Sequence, residues 1–450
     1  MKTILWILLF YPCAILCAQI VNIPDPNFKN ALLGIGVDTN GDGNIQTSEA
    51  ENFTNPMFVG SHNISDLTGI ESFVNITWLQ CGLNNLTTLD LSANTLLEKL
   101  ECYANPLTSI DLSNNVNLQT LISWNTQLSN LDLSLNTALK VIDLNGTPHT
   151  ELDISALTML QDISLYNCPL ETIDVSNNPN LLNLDCIQTD ISEIDVTSNP
   201  LLEKLNISGT DVNNVDLTNN PNLKILQVRQ LGFSSLDLSV NDKLRFLDLS
   251  SNALTEFDPS IFLDLQGLRI RDNNITSIDL SNNPMLCHLL ADSDAIQNIN
   301  IKNGQNELFT QAGTCWVETT IGGIGFLHIF SVTDSPILEF ICVDDIQFAE
   351  ENFINVPSQV VFIDNCDLGL EDVSAPTIKL YPNPIDNVVV LQSNVFIREL
   401  EVFSTMGQSI KKVPIHGFDK NVDLNNLAPG TYFVKVFTEW TNVVQKLVKK

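Results

Sequence analysis

Leu89-Asp90-Leu91-Ser92 returns as Ile110-Asp111-Leu112-Ser113, Leu131-Asp132-Leu133-Ser134 and Leu152-Asp153-Ile154-Ser155. The aspartate recurs at Asp174, Asp195, Asp216, Asp237, Asp258 and Asp279, and the series ends degraded at Ile299-Asn300-Ile301-Lys302. Every step is 21 residues, through ten aspartates and one asparagine, a register that chance does not keep. Working outward from these tetrapeptides, a second apolar pattern, L-x-x-L-x-L-x-x-N-x-L, fills the space between them. It reads Leu97-x-x-Leu100-x-Cys102-x-x-Asn105-x-Leu107 and Leu244-x-x-Leu247-x-Leu249-x-x-Asn252-x-Leu254, and eleven copies align from Ile76 to Ile296. One 21-residue coil cannot bury its own apolar positions, so the coils must stack around a shared core.

Within Lys99-Leu100-Glu101-Cys102-Tyr103 side chains alternate between faces, which puts Leu100 and Cys102 inside and Lys99, Glu101 and Tyr103 outside. Stacked coils then build a parallel sheet of short strands along one side of a solenoid. The ninth pattern position holds Asn84, Asn105, Thr126, Thr147, Cys168, Thr189, Thr210, Leu231, Asn252, Asn273 and Asp294. Small polar side chains there can bond backbone groups that the turn leaves unpaired. Leu231 cannot, so an irregularity is expected near 227–233. Period, leucine spacing and asparagine position together resemble the leucine-rich repeat, in the 21-residue form common in exported bacterial proteins. The resemblance covers residues 58–302 and implies a repeat solenoid with parallel short strands and an irregular convex side.

The second extended piece of each coil alternates too, with Ile110 and Leu112 inward and Asp111 and Ser113 outward. It sets ten aspartates about 4.8 Å apart on one surface. Each is expected to accept a backbone N–H of its own turn. A cation-binding ladder is the alternative.

The chain has 450 residues and a formal charge of −32; 44% of its residues are hydrophobic and only 16% charged, so it folds rather than forming an acidic tail. So negative a charge disfavours nucleic acid as a partner. Residues 1–18 combine Lys2, the apolar run Ile4–Phe10 and Ala18 before Gln19, the pattern of a secretory signal peptide cleaved after Ala18. A lipid anchor on Cys17 is the rival reading, against which bulky Leu16 stands. No later run reaches the length of a membrane span. Cleavage leaves eight cysteines in an exported, disulfide-permissive chain.

An open stack needs caps at both ends. Asp25-Pro26 ahead of Asn27–Leu33 reads as a helix start within an N-terminal cap over residues 19–57. Then Asp38-Thr-Asn40-Gly-Asp42-Gly43-Asn44-Ile45-Gln46-Thr-Ser-Glu49 matches the EF-hand calcium loop in its oxygen-bearing positions, its Gly at position 6 and its Glu at position 12. Asp38, Asn40 and Asp42 would ligate through side chains, Asn44 through its carbonyl and Glu49 through both carboxylate oxygens, making one structural calcium site. Downstream, residues 303–372 are expected to form the C-terminal cap region. The stretch Phe340–Ile346 with Phe362–Cys366 resembles the cap that follows such repeats. Cys342 and Cys366 would close a 25-residue loop there, stabilising by about 3 kcal/mol in the loop-entropy picture. Cys81, Cys102 and Cys186 take Leu-like positions as buried thiols, and a Cys287–Cys315 pair is left open.

From about Pro376 the character changes: nine Lys and Arg face six Asp and Glu, so this part carries +3 and the rest −35. Short alternating runs broken by Pro, Gly and Asn predict a small antiparallel β-sandwich over 373–450. Tyr381-Pro-Asn-Pro384, the Gly407 turn, Pro429-Gly-Thr-Tyr432 and the basic end together resemble the C-terminal sorting domain of the type IX secretion system. That resemblance implies the export machinery as a partner, and a place outside, or on the outer surface of, a Gram-negative, Bacteroidetes-like bacterium.

Of the outward strand positions, one column includes Tyr103, Trp124, Tyr166, Arg229 and Arg271, with Trp78, Phe246 and Arg269 beside it. Aromatics and arginines are the usual anchors of recognition surfaces. The expected role is binding an extracellular protein on this face, with a glycan stacked on the rings as the alternative. Five histidines without a nucleophile motif, and no H-E-x-x-H or phosphate loop, disfavour an enzyme. The adjacent Asp344-Asp345 is weak grounds for a glycosidase.

Overall fold

A computed structural model describes residues 19–293, 295–310, 316–320, 323–326, 329–366, 378–405, 407–438 and 442–450. The expected signal peptide lies outside the described residues. The chain divides into two compact units, the first ending at Cys366 and the second beginning at Asp367. The expected boundary at 372/373 falls among residues 367–377, which are also outside the described set.

The first unit is the solenoid. Its thirteen-stranded parallel sheet runs from Met57–Phe58 and Trp78–Gln80 through strands of three residues to His288–Leu290 and Ile329–Ser331. Neighbouring strands pair at the sequence period, Leu79 with Leu100 and Leu100 with Leu121. Each of these central leucines is fully buried, and one continuous apolar cluster extends from Val21 to Phe353. Burying such a leucine is worth roughly 1.5–3 kcal/mol.

Each coil turns its corner with a left-handed residue, at φ 57° for Leu83 and 51° for Ala104, and with glycine only at Gly146 and Gly209 among the first seven. The amide of that residue donates to the next coil, Leu83 to the Tyr103 carbonyl and Ala104 to that of Trp124. Stacking therefore holds a conformation that L-residues otherwise avoid.

The ninth-position ladder is present. Asn105 donates to the Cys81 and Cys102 carbonyls and accepts from the Leu86 amide. Thr126 donates to the Ser123 carbonyl, and Cys168 lies 3.2 Å from the Leu144 carbonyl. The irregularity expected at Leu231 does not occur. Strand register passes through Ile225–Gln227 without a shift, because Thr210 of the preceding coil takes the Ile207 carbonyl and the Val212 amide, and Asn252 of the next coil donates to the Val228 carbonyl.

All ten aspartates of the convex series accept the backbone N–H two residues on, from Asp90 with Ser92 to Asp279 with Ser281. The extended piece expected beside them becomes strand only at the end, where Ser277–Asp279, Asn298–Asn300, Phe340–Cys342 and Val361–Ile363 form a second parallel sheet. Just inside this surface is a ladder that sequence analysis did not foresee. Asn94, Asn115, Asn136, Asn178, Asn199, Asn220, Asn241 and Asn283 are fully buried. Each bridges two carbonyls of the preceding coil, as Asn199 does with Val175 and Asn178.

The N-terminal cap is a helix, Pro26–Gly34, capped by Asp25 through the Asn27 and Phe28 amides. Parallel pairing continues beyond Lys302, since Ile329–Ser331 adds to the long sheet beside His288–Leu290. The described residues between Lys302 and Ile329 are thus an insertion inside a late coil. The helix Ile346–Asn352 follows, and Cys342 is bonded to Cys366 as expected. Cys287 is also disulfide-bonded; Cys315 lies outside the described residues. Cys81, Cys102, Cys168 and Cys186 are free and buried.

The second unit is one antiparallel network built on two long strands, Val388–Ser404 and Ser409–Asp423. Their register breaks between Gln392 and Ile397. The first half pairs with Ile378–Tyr381 and the second with Gly430–Thr438, which in turn pairs with Asn442–Lys449. Val389 and Leu391 from one half share a core with Leu400, Val402 and Val434 from the other, which makes the expected sandwich.

Candidate functional site

The outward side chains of the long sheet fall into columns whose members are 21 residues apart, hence one strand spacing of about 4.8 Å. The convex aspartates repeat one residue type in ten successive coils; these columns change from coil to coil. Aromatic, acidic and arginine sections follow one another along them.

The aromatic section comes first. Tyr103 and Trp124 stack with centroids 4.5 Å apart and planes 12° apart, both half-buried. Gln80 Nε2 donates to the Tyr103 hydroxyl at 2.8 Å. The ring lies over Gly82, where a Cβ would come within 2.6 Å of it. Trp78 is half-buried, with Phe58 edge-on at 5.0 Å and Lys99 Nζ 4.1 Å over its ring. Phe58, an exposed ring that sequence analysis missed, stands before the first aligned copy. Tyr166 is exposed but does not continue the stack. Asn145 intervenes and accepts from the Tyr166 amide at 2.6 Å.

Next comes an acidic section that was also missed. Asp143, Asp162 and Asp185 stand on three consecutive strands, and none is in an ion pair among the described residues. Burial raises the Asp143 carboxyl above its usual range and pushes Asp185, which is 6% exposed, up to about 6. Asp185 accepts only the Ile187 amide, and Asp143 that of Asn145. Asp162 accepts from Asn183. Strand alternation could have flagged these outward carboxylates, but not their partial burial.

The arginine section follows. Four of the five arginines in the chain lie between residues 229 and 271. Arg229 is exposed, and its guanidinium has no partner among the described residues. Arg271 Nε donates to Asp292 at 2.5 Å, and that carboxylate also accepts from Ser331 and Thr333. Arg269 lies 3.6 Å from Asp248 and donates to His288 Nε2 at 3.1 Å. Burial lowers the Arg269 pKa, and Arg271 and Arg229 add to the lowering. His288 is fully buried, which, with Arg269 and Arg271 beside it, takes its pKa down to about 3. Since Nε2 accepts, the neutral ring carries its proton on Nδ1, and that atom has no partner.

Phe246 is not an exposed contact. It is fully buried, in a cluster with Ile225 and Cys287 against which Leu308 packs. The strand Trp316–Thr320 also runs beside Phe246–Asp248. The insertion thus folds back over one margin of the strand face and walls the arginine section on that side.

The calcium-like loop is apart from this face. Gly41 and Gly43 take φ of 77° and 78°, as such a loop requires, and Glu49 begins the helix Thr47–Asn52. Gln19–Val21 pairs with the far side of the loop through Val21 to Ile45 and Thr47 to Gln19. Asp38 accepts from Gly41 and Gly43, Asp42 from Asn44 and Gln46, and Glu49 from Thr39, Asn40 and Gln46. Lys29 Nζ reaches the Asn44 side chain at 3.3 Å, leaving its carbonyl free for the role expected of it. The two glycines turn the loop backbone, while the carboxylates rest on loop donors. Among the described residues no three His, Cys, Asp or Glu side chains are grouped around a common point.

Residues 379–450 match the family described as "Secretion system C-terminal sorting domain". No curated protein matches the chain. Among solved structures, the functional domain of InlJ from Listeria monocytogenes, described as including a cysteine ladder, is similar at 22% identity. It covers 96% of this chain and 98% of its own, with a TM-score of 0.61. An internalin, InlF, from the same species is similar at 17% identity, covering 77% and 97%, with a TM-score of 0.58. No described helix is long and apolar enough to cross a membrane. Such a sorting domain marks its chain for export, to the medium or the cell surface. The chain is a leucine-rich-repeat solenoid that carries a type IX secretion sorting domain at its C-terminal end.

Proposed function

We propose that this is an exported binding protein of a Bacteroidetes-like bacterium that recognises a protein partner on its strand face and has no enzymatic role. The observation that carries the reading is the stacked, half-exposed Tyr103–Trp124 pair at the head of columns whose residues change from coil to coil. Such rings give a large contact area at low entropic cost. Among the described residues two histidines are buried and engaged, His149 with Thr147 and His288 with Arg269. Near-parallel rings also suit a sugar, so a glycan is the second reading. The test is capture from cell-surface extracts, run beside a glycan array, comparing the parent with a Tyr103→Ala/Trp124→Ala/Tyr166→Ala variant. Loss of a captured protein supports the reading. Retention of every ligand removes it, and loss confined to glycans favours the second.

We also infer that loop 38–49 binds one calcium ion through Asp38, Asn40, Asp42, Asn44 and Glu49 and stiffens the N-terminal cap. Calorimetry should show one site in the parent and none in Glu49→Gln; no heat with either protein would end the idea.

A further inference from the structure

The strand face is ordered by charge, and the order restricts what can lie on it. Asp143, Asp162 and Asp185 occupy strands Val141–Asp143, Asp162–Ser164 and Asn183–Asp185. Arg229 directly follows strand Ile225–Gln227, and Arg269 and Arg271 belong to the coil of Gly267–Arg269. The centres of the two sections are four strands apart, roughly 19 Å, which an extended chain covers in about six residues. Neither section is fully neutralised by the described residues. The three carboxylates have no cationic partner among the described residues, and Asp248 and Asp292 offset two of the three guanidiniums, leaving that of Arg229 free.

Three features narrow the partner. A polyanion drawn to the arginines would run over the carboxylates, and a polycation would meet the reverse. An uncharged glycan would use the rings and leave both charged sections unmatched. The insertion closes the Phe246 margin of the arginine section, while Arg229 and Arg271 stand in the column farther from that wall. What remains is a lane along the sheet, from the Tyr103–Trp124 pair past the carboxylates to the arginines.

We propose that this lane docks an extended protein segment carrying a basic group opposite Asp143, Asp162 and Asp185 and, about six residues along, an acidic group opposite Arg229, Arg269 and Arg271. This rests on the strand face being the recognition face and adds the chemistry of its partner. The setting of Asp185 fits such a role. A carboxylate so buried and unpaired costs stability, and an incoming cation would recover that cost.

Two labelled peptides of one composition test this. In one, a Lys block and a Glu block are separated by about six Gly and Ser residues; in the other the same Lys and Glu alternate. Their equal net charge cancels any general attraction to the acidic chain. Anisotropy titrations are run in about 0.15 M salt, where the Debye length of about 8 Å is shorter than the distance between sections. The blocked peptide should bind the full-length protein about tenfold more tightly than the alternating one. Arg229→Glu/Arg271→Gln and, separately, Asp143→Asn/Asp185→Asn should each erase that preference. The first pair centres on an unpartnered guanidinium and the second removes unpaired carboxylates, so melting curves should show both variants folded. Equal binding of the two peptides, or a preference that survives both pairs of substitutions, overturns the proposal. If that happens while the Tyr103→Ala/Trp124→Ala/Tyr166→Ala variant still loses its captured partner, the face remains the binding face and only the charge order is wrong. If the aromatic variant also loses nothing, both ideas fall together.

Discussion

The two long surfaces of the solenoid share one period and do opposite things with it. On the convex side, ten aspartates in file each accept the same backbone amide, and buried asparagines behind them bridge the same pair of carbonyls coil after coil. On the strand side the columns pass from rings to carboxylates to arginines. A side chain that serves its own backbone is drawn from a few types, because every coil poses the same unpaired groups; Leu157 and Phe262 alone interrupt the buried asparagine file between Asn94 and Asn283. A side chain facing a partner has no such duty and is free to differ. Repetition marks support, and variation marks the surface available for recognition.

The largest effect expected from this contrast is within a single coil. Asn199→Ala removes one of the two donors on each of the Val175 and Asn178 carbonyls and leaves a cavity in the core, and should cost about 2–4 kcal/mol in urea unfolding. Asp195→Ala, four residues earlier on the exposed side, removes only a turn-local acceptor and should barely move the same titration. Equal losses would break the distinction between the buried and the exposed ladder.

A somewhat smaller effect, of opposite sign, is expected on the strand face. The folded state raises the Asp185 pKa from 3.8 to about 6, so between those values the folded chain keeps a proton that the unfolded chain has released. Stability contributed by that proton is present below about pH 4 and is lost as pH rises through 6. Asp185→Asn should therefore be more stable than the parent by up to about 3 kcal/mol at pH 7, the gain fading as pH falls toward 4. A variant less stable than the parent at pH 7 would show Asp185 to be structural, and the contrast between the two surfaces would lose its best case.

The smallest effect sharpens the aromatic section. Gly82→Ala places a Cβ within 2.6 Å of the Tyr103 ring, which must leave Trp124 to make room. Near-UV circular dichroism should lose the coupled-ring signal, with a stability loss of about 1 kcal/mol. An unchanged spectrum would mean that the rings are not held in register by the coil beneath them.

Much of this architecture was legible because a solenoid is nearly one-dimensional: each coil touches its neighbours, and neighbours are 21 residues away. Period, inward leucines, the Asp25 cap and the convex aspartates all follow from local spacing, while the Cys342–Cys366 bond was implied by the resemblance to the cap that follows such repeats. The buried Asn94-to-Asn283 ladder, broken only at Leu157 and Phe262, was also periodic and was missed, because its residues read as turn formers until burial is known. Leu231 misled because the backbone groups that it cannot serve are taken by Thr210 of the preceding coil and Asn252 of the following one.

By itself the sequence determined the stack, its direction and which side chains point outward, since alternation along a strand and a fixed period leave no other solution. Only the tertiary structure decided which outward side chains are free. The segment after Lys302 returns to the sheet and buries Phe246, a contact across some 60 residues that no local pattern encodes. Burial by neighbouring coils made Asp185 an unpaired acid, and the intervening Asn145 separated Tyr166 from the rings at 103 and 124. Accessibility and charge compensation depend on everything that packs nearby, whereas periodicity depends only on the next coil.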